Sequence, residues 1–201
     1  MTLVGRMAVG FAALGIFTID AGTANANDYR EKGKTVEIVG SKVIVTPTRD
    51  WNRLDYEPGK YAETWTLDGD QLNDVTFYCG VEPGRPLVKE RDKKRQPLPK
   101  LSANALLIEI PELLENTHRA SKQIGRFALT GSKPGRFLGR DGVEFTYEYT
   151  DQDELVRKGE ARAVLIGKRL CMVAFEAPRL HFFDKSLADF RALADSARLR
   201  R

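Results

Sequence analysis

The run Leu170-Cys171-Met172-Val173-Ala174-Phe175 is apolar at six consecutive positions. A strand sends successive side chains to opposite faces, so such a run leaves no face for water. It belongs in the middle of a sheet that is covered on both sides. Its neighbours read as antiparallel partners. Gly159 to Ile166 leads into a strand spanning Leu170 to Glu176 across Gly167-Lys168, a two-residue hairpin connection. Upstream, Val143, Phe145, Tyr147 and Tyr149 point inward while Glu144, Thr146 and Glu148 point outward, with Asp141-Gly142 as the turn that opens the strand. Phe127 and Leu129 mark another strand, ended by Pro134-Gly135.

The N-terminal half repeats the pattern. After a polar leader at 27–34, Thr35–Val39 and Lys42–Thr46 flank Gly40-Ser41 as a hairpin. Glu63–Leu67 then meets Asn73–Cys79 across Asp68-Gly69, a pair suited to a type I′ turn, with Trp65 and Leu67 on one face. Two helical segments complete the set. The first is capped by Ser102, carries Leu106, Ile110, Leu113 and Leu114 as its stripe, and is kinked or split at Pro111. His118 falls in its last turn, where a cationic imidazole suits the helix dipole. The second opens with a capping box, Ser186 and Asp189, and lays Leu187, Phe190, Leu193, Ala194 and Ala197 on the sheet. The expected fold is α+β: one domain over 35–201, an antiparallel sheet of about six to eight strands, a central helix and a C-terminal helix.

The N-terminus reads as an export signal. Arg6 gives a thin positive region, Met7 to Ile19 is almost wholly apolar, and Ala24-Asn25-Ala26 offers a cleavage site before Asn27. The apolar stretch falls short of the ~20 residues of a spanning helix, so no transmembrane span is expected after cleavage. Loss of residues 1–26 removes one Arg (Arg6) and one Asp (Asp20), leaving 175 residues at the full chain's net charge of +4. That length buries about 70% of its unfolded surface as a single domain, here expected to be monomeric. A chain 42% apolar and 30% charged is neither a disordered tail nor a multi-span membrane protein. A pI of about 9.1 in an exported, periplasmic protein points to anionic lipid, cell-wall polymer or an acidic envelope protein, not nucleic acid.

The basic charge is concentrated. Between residues 81 and 100, seven cationic side chains face three acids, giving +4, while the rest of the chain sums to zero. Pro83, Pro86, Pro97 and Pro99 keep this stretch out of a sheet. Lys89, Arg91, Lys93, Lys94 and Arg95 are the candidate binding residues, for an anionic surface. The two cysteines, Cys79 and Cys171, lie on apolar faces and could form a disulfide closing a loop of about 90 residues, or stay as two buried thiols.

Catalytic and metal motifs are weak. Gly33-Lys34-Thr35 lacks the preceding glycine and following helix of a phosphate loop. Asp68 to Asp74 lacks the Gly and Glu of a calcium loop. Cys79, Cys171, His118 and His181 have no zinc spacing, and no nucleophile elbow is present. Glu144 and Glu148 share a face as a glycosidase pair would, but read as solvated strand acids. Trp51, Tyr56 and Tyr61 read as packing beneath a long loop. No catalytic residue, metal or cofactor is expected. A pocket holding a histidine beside a carboxylate would favour an enzyme, and a large apolar cavity a carrier.

From about residue 100 onward, the chain runs helix, antiparallel strands, Gly159-Glu-Ala-Arg-Ala163, Met172-Val-Ala-Phe-Glu-Ala-Pro178, then a closing helix ending at Ser196. This order resembles the PsbP-like superfamily. The resemblance implies an α/β/α sandwich around an antiparallel sheet and a non-enzymatic accessory or binding role. The function expected is therefore an exported accessory protein acting through surface contacts, with an envelope hydrolase or a carrier of an apolar ligand as alternatives.

Overall fold

The computed structural model describes residues 28–200; the expected leader and its cleavage site after Ala26 lie outside them. The described chain forms β1 (Asp28–Arg30), β2 (Val36–Glu37), β3 (Val43–Val45), β4 (Trp51–Arg53), β5 (Ala62–Thr66) and β6 (Asp74–Val81). A 3-10 turn, Leu107–Glu109, leads into α1 (Ile110–Lys122). Then come β7 (Phe127–Phe137), β8 (Arg140–Thr150), β9 (Val156–Ile166), β10 (Arg169–Pro178), α2 (Phe182–Asp195) and β11 (Arg198–Leu199). Eight strands make one antiparallel sheet in the order β1-β4-β5-β6-β10-β9-β8-β7, and β11, β3 and β2 make a small second sheet. The fold is α+β, as the alternation requires. β1 arises within the polar leader, pairing with β4.

The continuous apolar run became β10, central between β6 and β9 and buried from Leu170 to Pro178. Its two faces serve two cores. Val173 and Phe175 join Trp65, Phe77 and Val75 beneath Phe190 and Leu193 of α2, with Val43 and Val45 added from the small sheet and Ile38 from just beyond β2. Met172 and Ala174 join Phe145, Tyr147 and Ala161 beneath Ile110 and Leu114 of α1. One helix per face removes both apolar surfaces of the sheet from water.

Several local expectations are corrected. Pro134-Gly135 does not end β7; the strand continues to Phe137, pairing Pro134 with Val143. β7 is an edge strand, where a missing N–H is tolerated. The turn is at Leu138-Gly139, and Asp141-Gly142 lies inside β8. Gly142 is there for clearance: a Cβ would sit 2.3 Å from the Ala163 carbonyl oxygen on β9. Asp68-Gly69 opens a wider loop than a two-residue turn. Asn73 ties it, its Oδ1 accepting from Leu67 N (2.7 Å) and Thr66 Oγ1 (2.9 Å). The turn at Gly167-Lys168 does have the expected positive φ at both residues (54° and 67°).

Both helices also start elsewhere. Pro111 sits in the first turn of α1, where its lost N–H costs nothing, so it initiates the helix and does not kink it. Ser102 belongs to an earlier turn, accepting from Asn104 N at 3.3 Å. Leu106 is left exposed, and the buried stripe is Ile110, Leu114, Thr117 and His118. α2 begins at Phe182, four residues before Ser186, which is buried mid-helix against Asn73. Asp189 pairs with Arg49 at 2.9 Å and caps nothing.

Candidate functional site

On the face covered by α1, the sheet carries a buried polar cluster. Glu176, near the end of β10, is 5% exposed and accepts four hydrogen bonds. Tyr147 Oη (2.7 Å) and His118 Nε2 donate to Oε1; Tyr149 Oη (2.9 Å) and Lys122 Nζ (2.5 Å) donate to Oε2. His118 and Lys122 are one helical turn apart on α1, so both reach the same carboxylate. Tyr147 and Tyr149 are alternate residues of β8 and share its inward face. Burial opposes ionisation of Glu176, and the neighbouring His118 and Lys122 overcome it, holding the carboxyl well below its usual range. Burial pushes His118 down, so it is neutral with Nε2 protonated and Nδ1 left buried without a partner. Lys122 stays charged: burial disfavours the cation, but Glu176 outweighs it and raises its pKa.

Asp74 of β6 adjoins this cluster. Burial, reinforced by Glu176 and opposed by Lys122 and Arg157, pushes its carboxyl up to about 7. Arg157 Nη2 stands 3.9 Å from Asp74 Oδ2, too far for a hydrogen bond, and Oδ1 is buried without a partner. The same burial, again helped by Glu176, raises Tyr149.

Lys122 also lies on the wall of an open cleft of about 460 Å³. The far wall is the basic loop, and Tyr56 stands at its side, half exposed. The loop is anchored. Leu87, Leu98 and Leu101 are buried, Lys89 N donates to Pro58 O at 2.6 Å, and Leu101 N donates to Arg85 O at 3.0 Å. Two of its three acids face their own backbone: Glu90 accepts from Leu98 N at 3.2 Å, and Asp92 from Lys94 N and Arg95 N, both at 3.0 Å.

No protein-family model matches the chain, and no curated protein matches it in sequence. The solution structure of cyanobacterial PsbP (CyanoP) from Synechocystis sp. PCC 6803 is similar over 92% of this chain and 100% of that one, at 14% identity and a TM-score of 0.50. The fold is PsbP-like. A Bacteroides thetaiotaomicron VPI-5482 protein is similar at 10% identity and a TM-score of 0.49 over 85% of this chain, which spans 49% of that longer one. The Saccharomyces cerevisiae Ran-binding protein Mog1p is similar at 8% identity and a TM-score of 0.45, covering 85% of this chain and 96% of its own. At such identities the likeness is one of fold.

Within this PsbP-like sheet, the residues singled out in the sequence fall in three places. Lys89, Arg91, Lys93, Lys94 and Arg95 are all exposed on one loop. Cys79 and Cys171 are directly opposite on β6 and β10, with Cα atoms 4.0 Å apart, and are joined by a disulfide. That bond takes both thiols away from any zinc set. Glu144 and Glu148 do face away from the Glu176 cluster, where Arg162 and Arg179 pair with them.

His118 is corrected most. It is not a cation at a helix end but a neutral, 1% exposed donor. His181 is exposed at the start of α2, remote from both cysteines in their disulfide. Of the three aromatics, Trp51 and Tyr61 are core, and Tyr56 lines the cleft. Glu176, Asp74, Lys122 and Arg157 were not singled out. One signal for Glu176 was available: a carboxylate on a strand with no solvent face must find buried donors.

Proposed function

We propose that this protein is an exported, non-catalytic binding protein that attaches as a monomer to an anionic surface of the cell envelope through Lys89, Arg91, Lys93, Lys94 and Arg95. The observation that carries this reading is the division of labour in the loop. Glu90 and Asp92 bind backbone amides, so their charges fold the loop, while all five cations stay in solvent. Each cation near an anionic membrane contributes on the order of 1 kcal/mol, screened within a Debye length. The Cys79–Cys171 bond suits an oxidising compartment, in line with the export signal read at residues 1–26.

A hydrolase is the weaker reading. His118 does meet a carboxylate, the arrangement that would favour an enzyme, but it is nearly inaccessible and Glu176 has all its acceptor sites filled. Neither is placed to touch a substrate.

Cells producing the wild type and a Lys93→Ser/Lys94→Ser/Arg95→Ser variant are fractionated, and the membranes washed at low and high salt. Attachment predicts a wild type released by salt and a variant found in the soluble fraction. Equal partitioning of the two overturns the reading.

A further inference from the structure

The cleft beneath the basic loop has a chemistry of its own, distinct from the exposed tip at Lys93–Arg95. We propose that it is a binding site for a phosphoryl group, with Lys89 and Arg91 as direct ligands and Lys122 as a fixed cation on the opposite wall. The site does not require that the loop tip hold the protein on a surface; it is a pocket for one ligand, not a patch.

Three observations converge. First, the cleft has room: about 460 Å³ is several times the volume of a single phosphate group. Second, its cations are available. Lys89 and Arg91 form no ion pair among the described residues, and Asp92, which also lines the cleft, already binds two backbone amides and stands 3.9 Å from Arg95. Glu57 is the one lining acid without such an engagement among the described residues. Third, the geometry is held in advance. Lys89 is anchored through its own amide to Pro58, and Lys122 is held by Glu176 at 2.5 Å, which keeps its ammonium charged and in place. A ligand arriving there meets a loop backbone and a Lys122 side chain already in place, which removes part of the entropic cost.

The class of ligand follows from the donors. Arg91 offers a planar fork that takes two oxygens at once, and Lys89 and Lys122 approach as point charges, one from the loop and one from the helix. A carboxylate presents its oxygens in one plane, whereas a phosphoryl group presents them in several directions and suits cations on two walls. Gln123 and Tyr56 add neutral donors and an aromatic side for whatever the phosphate is esterified to.

The test is a titration of the purified protein, followed by amide NMR shifts, with inorganic phosphate, glycerol 3-phosphate and, as a control, chloride at matched ionic strength. The site predicts saturable shifts at residues 89–92 and 121–123 with both phosphates. It also predicts at least tenfold weaker binding in Lys89→Ser/Arg91→Ser, and unchanged binding in Lys93→Ser/Lys94→Ser/Arg95→Ser. Shifts that chloride reproduces, that do not saturate, or that persist in Lys89→Ser/Arg91→Ser overturn it. Both variants change exposed residues, and their spectra report directly whether they are folded.

Vesicles of phosphatidylcholine with and without phosphatidylglycerol separate the sources of the phosphate. If the ligand is a lipid headgroup, excess glycerol 3-phosphate displaces the wild type from the anionic vesicles. If it is a free ester, the wild type pellets equally with and without glycerol 3-phosphate, which still saturates the shifts at the cleft. Failure of the surface-attachment reading looks different: wild type does not pellet at all, yet the phosphate titration still saturates.

Discussion

Asp74 and Glu176 stand directly opposite each other on β6 and β10, with both carboxylates on the α1 face of the sheet. Like charges in that register repel. The fold answers by treating them unequally: Glu176 takes two cationic-capable partners and two tyrosine hydroxyls, and Asp74 is left with an arginine at 3.9 Å. One is ionised throughout the physiological range; the other titrates near neutrality.

A pH dependence follows for Asp74. Its folded carboxyl binds a proton more tightly than the unfolded chain does, whose value is near 3.8. The resulting stability is fully present below 3.8 and is lost as pH rises through about 7. Asp74→Asn removes this dependence. Subtracting urea unfolding free energies of wild type from those of the variant should give a difference that grows in the variant's favour between pH 4 and 8, by roughly 4 kcal/mol at most. A difference that stays flat across that range contradicts the assignment.

Replacing Glu176 acts on the whole cluster. Glu176→Gln leaves the Lys122 ammonium without its counter-ion and offers one acceptor oxygen where four donors converge. The Lys122 side chain is 43% exposed, so water screens the orphaned ammonium, and the expected loss is about 1–3 kcal/mol, mainly from the buried donors left without an acceptor. Tyr149→Phe removes a single donor and should cost about 1 kcal/mol. Denaturant midpoints at pH 7 compare the two, and an equal effect would mean that the Lys122 pairing matters no more than a hydroxyl.

His118 gives the opposite sign to Asp74. Because burial lowers its pKa, the unfolded chain takes up a proton that the folded one refuses. Its contribution is present above about 6.5, the ordinary value, and is lost as pH falls below it. Following the His118 imidazole by NMR should show it taking up its proton below the ordinary value of 6.5, and a midpoint at or above 6.5 contradicts the assignment.

The disulfide should matter in proportion to the chain it closes. Cys79 and Cys171 are 92 residues apart, which in the chain-entropy model corresponds to about 4–5 kcal/mol. A Cys79→Ala/Cys171→Ala variant is expected to unfold at clearly lower denaturant concentration, with folding retained because β6 and β10 pair over seven positions. Unchanged midpoints would show that the bond adds nothing to strand pairing.

Gly159 tests the packing under the cluster. A Cβ there would lie 2.2 Å from Cζ of Tyr147, the atom that carries the hydroxyl bound to Glu176. Gly159→Ala must displace the ring, so it should cost about 1–3 kcal/mol by overpacking and change the Tyr147 ring resonances as well. Gly33→Ala meets no neighbour within 4 Å, and any loss there comes from its positive φ alone.

Much of the architecture was legible because it repeats a local rule. The alternation at Val143–Tyr149 and the continuous run at Leu170–Phe175 each state which faces are buried, and period-two geometry needs no partner to be read. Turns and caps were less legible. Pro134-Gly135 signals a turn in isolation, and only the edge position of β7 lets the strand run through it. Ser186 and Asp189 fit a capping box, yet α2 starts earlier because Phe182 and Phe183 pack at its beginning. The basic loop was readable from composition. The Glu176 cluster was not, since its members come from β8, β10 and α1, up to 58 residues apart.

The sequence alone determined that this chain would build a sheet shielded on both sides, and that its excess positive charge would gather between residues 81 and 100, because periodicity and charge are properties of neighbouring residues. Only the tertiary structure decided which acids became structural, which cations stayed in water, and which histidine lost its charge. Those outcomes depend on distance and burial, which arise when segments remote along the chain are brought together.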